Sequence, residues 1–213
     1  MDIKVHSNTV IVFDLDDTLY NELDYLISAY KSIAEFLDFL NSKKVFSLMF
    51  SMYRNNQNVF EYLSNKYSIE KQFLLNKYRN HFPLISIDPI VLHLLKSIKR
   101  KSGKLAVLTD GRSVSQRNKL KALGIEDMFD YISISEEILS EKPSLKGFRL
   151  IEDYFNLPNY YYIGDNLKKD LQEIIWDAIK TNKQYLHIEK IVEKKNSHGC
   201  LLIKHLGKEN KED

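Results

Sequence analysis

Three carboxylates follow a short apolar run near the start of the chain. The run is 10–13, V-I-V-F, and Asp14, Asp16 and Asp17 come directly after it. The run indicates a strand buried on both faces, because no polar residue alternates within it. Side chains two residues apart on extended backbone point the same way, so the carboxylates of Asp14 and Asp16 should converge and require a cation or a shared proton. A plain turn or helix cap is the alternative, since Asp and Thr are common in both.

Later apolar runs lead into polar residues in the same way. The run 105–108 ends in T-D-G, the run 160–163 ends in G-D-N, and the run 131–135 leads to E-K-P-S. The polar residues that these runs place are Thr109, Asp110, Gly111, Lys142, Asp165 and, five residues further on, Asp170. In an open parallel sheet the carboxyl ends of the strands meet in one crevice, so these residues should be neighbours in space.

The residue types in this crevice suit a metal ion and an anion. Asp14, Asp16, Asp165 and Asp170 together hold more negative charge than a site keeps without a hard cation, and carboxylate and carbonyl oxygens suit Mg²⁺. The hydroxyl of Thr109, with the amides of Asp110 and Gly111 before a helix, offers donors to an anion such as phosphate. Lys142 adds a positive charge at the same place. The expected chemistry is therefore that of a phosphate bound beside a metal ion.

The elements that must position these residues alternate between helix and strand from residue 88 onward. Asp88-Pro89 predicts the start of a helix that runs to about residue 101, and further helices are predicted over 113–123 and up to about 155. A last strand is predicted at 184–188, and residues 199–206 are expected to pair or pack. This rhythm predicts an α/β fold with a Rossmann-like parallel sheet and helices on both of its faces.

The segment between the first carboxylates and this α/β part has a different character. Apolar residues recur at helical spacing from Leu23 to Leu40, and glycine is absent between Asn21 and Pro83. The segment is therefore predicted to be an all-helical insert. Its many aromatic residues are interpreted as packing between helices, with a ligand pocket as the less favoured interpretation.

Composition limits the class of protein. The chain has 213 residues, of which 44% are hydrophobic and 28% charged, as in ordinary globular proteins. Its 31 basic and 29 acidic residues are interspersed, so the net charge of +2 predicts no nucleic-acid partner. We expect no membrane partner and a cytoplasmic location, because we find no apolar stretch of spanning length and no secretory pattern. The single cysteine, Cys200, is interpreted as an ordinary thiol and not as a nucleophile.

Four ordered segments resemble the motifs of the haloacid dehalogenase-like (HAD) hydrolase superfamily. They are D-L-D-D-T at 14–18, T-D-G at 109–111, K-P at 142–143 and G-D-N-L-K-K-D at 164–170. The chain is similar to the phosphatase branch, in which both aspartates of the first motif are present. The resemblance implies a core of residues 1–20 and 84–213, and a small helical cap domain inserted at 21–83 that closes over the crevice and selects the leaving group.

The resemblance also implies roles for the candidate residues. Asp14 would be the nucleophile that forms an aspartyl-phosphate, and Asp16 the general acid and then base. Thr109 and Lys142 would complete the catalytic set and bind the phosphoryl oxygens together with Asp110 and Gly111. Mg²⁺ would be the cofactor, with the ligands Asp14, Asp16, Asp165 and Asp170.

The expected function is that of a Mg²⁺-dependent phosphatase acting on a small phosphate ester of the sugar phosphate or nucleotide class. A phosphomutase with the same intermediate and a catalytically silent phosphate-binding or regulatory protein stay open as alternatives. A dehalogenase is disfavoured, because it needs no Mg²⁺ and usually lacks the second aspartate. We expect a monomer or a weak homodimer.

Overall fold

The structure, a computed structural model, describes residues 5–166, 186–191 and 202–205. The strands are β1 Thr9–Phe13, β2 Lys104–Thr109, β3 Tyr131–Ile134, β4 Asn159–Gly164, β5 Leu186–Ile191 and β6 Leu202–His205. The helices are α1 Glu22–Leu37, α2 Ser42–Arg54, α3 Val59–Tyr67, α4 Lys71–Arg79, α5 Pro89–Arg100, α6 Ser113–Ala122, α7 Ser135–Ile138 and α8 Lys146–Phe155, with a 3₁₀ helix at Glu126–Met128.

The six strands form one sheet in the order β3-β2-β1-β4-β5-β6. The pairs from β3 to β5 are all parallel, which confirms the predicted parallel sheet. The last pair is different, because β6 runs antiparallel to β5. The four strands whose ends lead to the candidate residues, β3, β2, β1 and β4, are therefore consecutive neighbours in the sheet.

Both faces of the central strands are buried, as the unbroken apolar run of β1 predicts. On one face Val10, Val12, Ala106 and Leu108 pack with residues of α8 and β4. Gly147 lets α8 lie close to the sheet, because a Cβ at this position would lie 2.5 Å from Leu108 Cδ1. The residues of the opposite face are equally buried; these are Ile11, Phe13, Leu105 and Val107.

Helix α5 begins where the sequence predicts. The side chain of Asp88 accepts a hydrogen bond from the Ile90 amide, and Pro89 occupies the first turn, where its missing N–H costs nothing. Lys99 and Arg100 lie in the last turn, where positive charge is favoured by the helix dipole. Helix α5 thus has a defined start and a defined end, and β2 follows it in the chain.

The chain divides into two compact units. One unit holds the described residues up to Tyr20, those from Ile87 to Ser113 and those from Asp127 onward; the other holds Asn21–Ser86 and Val114–Glu126. The second unit thus contains most of α6 as well as α1 to α4. These units describe packing, so the boundaries of a helical insert at 21–83 stay a prediction.

Aromatic packing dominates the core of the second unit. The buried ring of Tyr30 meets the rings of Tyr53, Phe60 and Tyr78 edge-on, with centroids 6.4, 6.3 and 6.1 Å away. Phe46, Phe50, Phe60 and Tyr67 also pack against this core, as the packing interpretation predicts. Other aromatic residues of the unit are largely exposed; these include Phe36, Phe39, Tyr53, Phe73 and Phe82.

Several sequence predictions fall on residues outside the described ranges. These are Asp170, the segment 171–183, Cys200 and the charged tail 208–213. In the part of the chain that is described, the helices are too short or too polar for any of them to cross a membrane.

Candidate active site

The register of the sheet brings three candidate residues to the same edge. Phe13 pairs with Val107 of β2 and with Ile163 of β4. Asp14 therefore leaves β1 beside the ends of both neighbouring strands, where Thr109 and Asp165 lie two residues beyond those pairs. This is the convergence that the crevice of a parallel sheet predicts.

Asp14 is a buried carboxylate with defined partners. Its amide donates a hydrogen bond to the Ile163 carbonyl at 2.8 Å, which continues the pairing of β1 with β4. Its Oδ1 accepts from the Leu15 amide at 2.7 Å and lies 3.0 Å from Lys142 Nζ. The backbone and the carboxylate of Asp14 are thus both held in place, as a nucleophile that must approach phosphorus from one direction requires.

Lys142 is tied to the site at both ends of its side chain. Its backbone amide donates to Asp110 Oδ1 at 3.0 Å, and its Nζ donates to Tyr162 Oη at 3.1 Å as well as contacting Asp14. Its side chain is only 4% exposed and that of Asp14 is 10% exposed. The ion pair is therefore shielded from water, so its attraction is much stronger than that of a surface pair.

Asp16 has a partner that the sequence did not indicate. The hydroxyl of Tyr20 donates to Asp16 Oδ1 at 2.6 Å, and Tyr20 is itself buried. This bond helps to fix the direction of the Asp16 carboxylate. Such an arrangement is compatible with the predicted role of Asp16 as acid and base.

The T-D-G segment is placed by its own contacts. Thr109 is the last residue of β2 and is 1% exposed. The Asp110 carboxylate accepts from the amide of Lys142, so it holds the loop that carries this lysine. Gly111 adopts a φ of 135°, which L-residues rarely reach, and its amide donates to Ser135 Oγ at 2.9 Å. The amide of Gly111 would have to leave Ser135 to bind a phosphate, so its phosphate-binding role stays a prediction.

The donor set fits a divalent cation through oxygen atoms of two kinds. Asp14 and Asp165 would offer carboxylates, and Asp16 a backbone carbonyl, which are the donors that Mg²⁺ prefers. In the described part of the chain no three or more His, Cys, Asp or Glu side chains form a metal-holding group. The proposed ligands within the described residues are two carboxylates, those of Asp14 and Asp165, and the backbone carbonyl of Asp16. They can therefore hold a cation without a cluster of three such side chains. Asp170, the fourth predicted ligand, lies outside the described residues.

The sequence pattern did not indicate three supporting residues: Tyr20, Ser135 and Tyr162. Each supports a predicted residue through a hydroxyl, Tyr20 to Asp16, Ser135 to Gly111 and Tyr162 to Lys142. Their types are common in strands and turns, so their identity alone carries no signal. Alternation along β4 could have placed Tyr162 on the face of Val12, but only the fold shows which side chain its hydroxyl meets.

Comparison with known proteins gives a consistent result. The model of the family described as haloacid dehalogenase-like hydrolase matches residues 11–173. A glyceraldehyde 3-phosphate phosphatase of Methanocaldococcus jannaschii is 28% identical over 178 residues, which cover 76% of this chain and 78% of that protein. The pyrimidine 5'-nucleotidase YjjG of Escherichia coli is 26% identical over 178 residues, which cover 76% of this chain and 79% of that protein.

A solved structure shows the same fold. A HAD phosphatase from Thermococcus onnurineus aligns with a TM-score of 0.55 and 17% sequence identity, and the alignment covers 89% of each chain. At this identity the likeness concerns the fold alone.

Proposed function

The chain belongs to the haloacid dehalogenase-like hydrolase family, and on this premise we propose that it is a Mg²⁺-dependent phosphatase of small phosphorylated metabolites. The observation that carries the proposal is the shielded pair of Asp14 and Lys142, 3.0 Å apart at the edge of the sheet where β1, β2 and β4 end. A carboxylate held beside a fixed cation can attack a phosphoryl group whose charge that cation offsets.

The proposed reaction has two steps, and each residue has a defined task in them. An oxygen of the Asp14 carboxylate forms a bond to phosphorus while the ester P–O bond breaks, and Asp16 gives its proton to the leaving alcohol oxygen. Asp16 then takes a proton from a water molecule, whose oxygen attacks the aspartyl-phosphate, and inorganic phosphate leaves as the Asp14 carboxylate is restored. Lys142 and Thr109 bind the equatorial phosphoryl oxygens in both steps.

A bound divalent cation would supply positive charge that lets the anionic carboxylate approach the anionic phosphoryl group. Asp14, Asp165 and the carbonyl of Asp16 would hold it, with Asp170 as a further ligand. The family generally uses a divalent metal, and Mg²⁺ is our choice because all of the donors are oxygens.

The substrate class we propose is a small phosphate monoester, either a sugar phosphate or a nucleotide. Two relatives support this, because one is named a glyceraldehyde 3-phosphate phosphatase and the other a pyrimidine 5'-nucleotidase. Both match most of this chain at modest identity, so they support the class of substrate and not one compound.

Phosphate release from a panel of substrates tests the proposal. Purified protein is assayed with sugar phosphates, nucleotides and phosphorylated acids, with Mg²⁺ and with excess EDTA, and the substrates are ranked by kcat/KM. We expect phosphate release from at least one class, and its loss with EDTA and return with added Mg²⁺. Absence of release across the whole panel would overturn the phosphatase, and transfer of the group to a second hydroxyl without release would indicate a mutase.

A further inference from the structure

Two of the groups that hold the ammonium group of Lys142 differ in strength. Of its three protons, one is directed at Asp14 Oδ1 over 3.0 Å and one at Tyr162 Oη over 3.1 Å. The charged acceptor attracts the ammonium more strongly than the neutral hydroxyl does. A neutral acceptor that does not move with Asp14 therefore helps to keep the ammonium in place when the carboxylate moves.

The neutral acceptor, Tyr162, is itself held rigidly. Tyr162 lies in β4 opposite Val12 of β1, and only 6% of it is exposed. Its ring meets that of Phe148 edge-on, with the centroids 5.3 Å apart and the planes at 66°. The position of the Tyr162 hydroxyl is therefore set by the sheet and by α8, and not by the loop that carries Lys142.

The backbone contact of Lys142 does not replace this anchor. Its amide is bound by Asp110, which fixes the start of the side chain. Four methylene groups separate that point from Nζ, so the amide contact does not by itself fix the ammonium. Contacts at the tip therefore help to decide whether the charge stays at one point when the Asp14 carboxylate bonds to phosphorus.

We propose that Tyr162 is a positioning residue, whose hydroxyl holds the Lys142 ammonium beside the phosphoryl oxygens while Asp14 becomes esterified; this rests on the proposed phosphatase function. When Asp14 bonds to phosphorus it loses charge, and its attraction for Lys142 falls. The hydroxyl of Tyr162 keeps its acceptor oxygen through both steps. Tyr162 therefore matters most in the transition state, where the charge of Lys142 is needed at a fixed point.

The variant Tyr162→Phe tests this with little change of shape. The ring and its contact with Phe148 are kept, and only the hydroxyl is removed. The matched control is Tyr161→Phe, which removes a hydroxyl from the next residue of β4, on the opposite face of the sheet. Both variants are compared with the wild type in kcat, KM and melting temperature.

We expect kcat of Tyr162→Phe to fall about tenfold with KM within about threefold of the wild type, because the lost interaction acts mainly in the transition state. Orthovanadate, which imitates the five-coordinate phosphorus, should inhibit this variant about tenfold less strongly, while inhibition by inorganic phosphate stays within about threefold. Tyr161→Phe should match the wild type in all of these measurements.

Other outcomes distinguish a positioning role of Tyr162 from a role in packing alone, and from failure of the proposed phosphatase function. A kcat of Tyr162→Phe within twofold of the wild type, about 0.4 kcal/mol, would overturn the role. An equal loss in Tyr161→Phe, or a loss that merely follows a lower melting temperature, would show packing alone and overturn it too. A wild type without turnover on the whole substrate panel would overturn the phosphatase and, with it, the role of Tyr162.

Discussion

Burial of the ion pair of Asp14 and Lys142 in the protein interior costs free energy. Removing two charges from water costs several kcal/mol per ion, and the attraction between the two charges rarely exceeds that cost. Such a pair is therefore weak support for stability and better support for chemistry. Its contacts with Leu15, Tyr162 and Asp110 show that the surrounding residues hold the two charges in a fixed arrangement.

Two serines near the end of β3 should respond oppositely to loss of their hydroxyls. The hydroxyl of Ser133 is buried, and within the described residues it has no hydrogen-bond partner, whereas Ser135 Oγ accepts from the Gly111 amide. Ser133→Ala should raise the free energy of unfolding by up to about 1 kcal/mol, and Ser135→Ala should lower it by about 1 kcal/mol. Urea denaturation of both variants measures this. A destabilised Ser133→Ala would show that its hydroxyl is satisfied.

At the residue scale, the sequence indicated which polar residues follow the strands, but not the contacts that these residues make. Asp14, Thr109 and Lys142 could be named because each follows an apolar run or opens the next loop. The contacts of Lys142 with Tyr162 and of Asp16 with Tyr20 could not, because they depend on side-chain directions that neighbouring elements decide. The roles of all these residues in catalysis stay predictions.

At the level of elements, Asp130 joins α5, β2 and the start of β3. Its carboxylate accepts from Lys99 Nζ at 2.8 Å and from the Leu105 amide at 2.9 Å. Burial alone would raise the pKa of Asp130, but the hydrogen bonds from Lys99 and Leu105 and the nearby positive charges outweigh it, so the pKa is lowered. The carboxylate thus stabilises the fold when it is ionised.

This shift predicts a pH-dependent stability. A carboxyl whose pKa is lower in the folded state contributes stability above its unfolded value of about 3.9, and that contribution is lost as the pH falls through the folded pKa. Asp130→Asn should therefore be less stable than the wild type by about 1 kcal/mol at pH 7. The gap should narrow below about pH 4.

Urea denaturation at several pH values measures that gap. Asp127→Asn, at an exposed position three residues earlier, is the control and should show little change at any pH. An Asp130→Asn variant whose deficit is the same at pH 7 and pH 3 would contradict the contribution of the charge.

Strands were predicted well where an apolar run ends in polar residues. β1, β2 and β4 agree with their predicted ranges to within one residue at each end. The direction of β6 was not predicted, because a short run of strand-forming residues carries no information on whether it pairs parallel or antiparallel. The four-residue helix α7 was missed, since it is too short to show a helical repeat.

At the scale of the whole molecule, the order of the four motifs predicted the fold and the family. Loops that follow parallel strands must meet at one edge, so the order of motifs along the chain translates into a site without knowledge of side-chain contacts. The natural substrate does not follow in this way, because selectivity depends on side chains whose direction no repeat or motif reveals. Residence in the cytoplasm and a monomeric or weakly dimeric state stay predictions for the same reason.

The most direct test of the central claim is phosphate release by Asp14→Asn. The amide is nearly isosteric with the carboxylate and can still accept from Leu15 and Lys142, so the fold should persist, but it is a far poorer nucleophile. On the best substrate of the panel, with Mg²⁺, we predict a kcat at least about 1,000-fold below that of the wild type for a variant whose circular dichroism shows that it is folded. Asp153→Asn, at an exposed position of α8, should keep wild-type activity. Activity of a folded Asp14→Asn within a few-fold of the wild type would contradict Asp14 as the nucleophile.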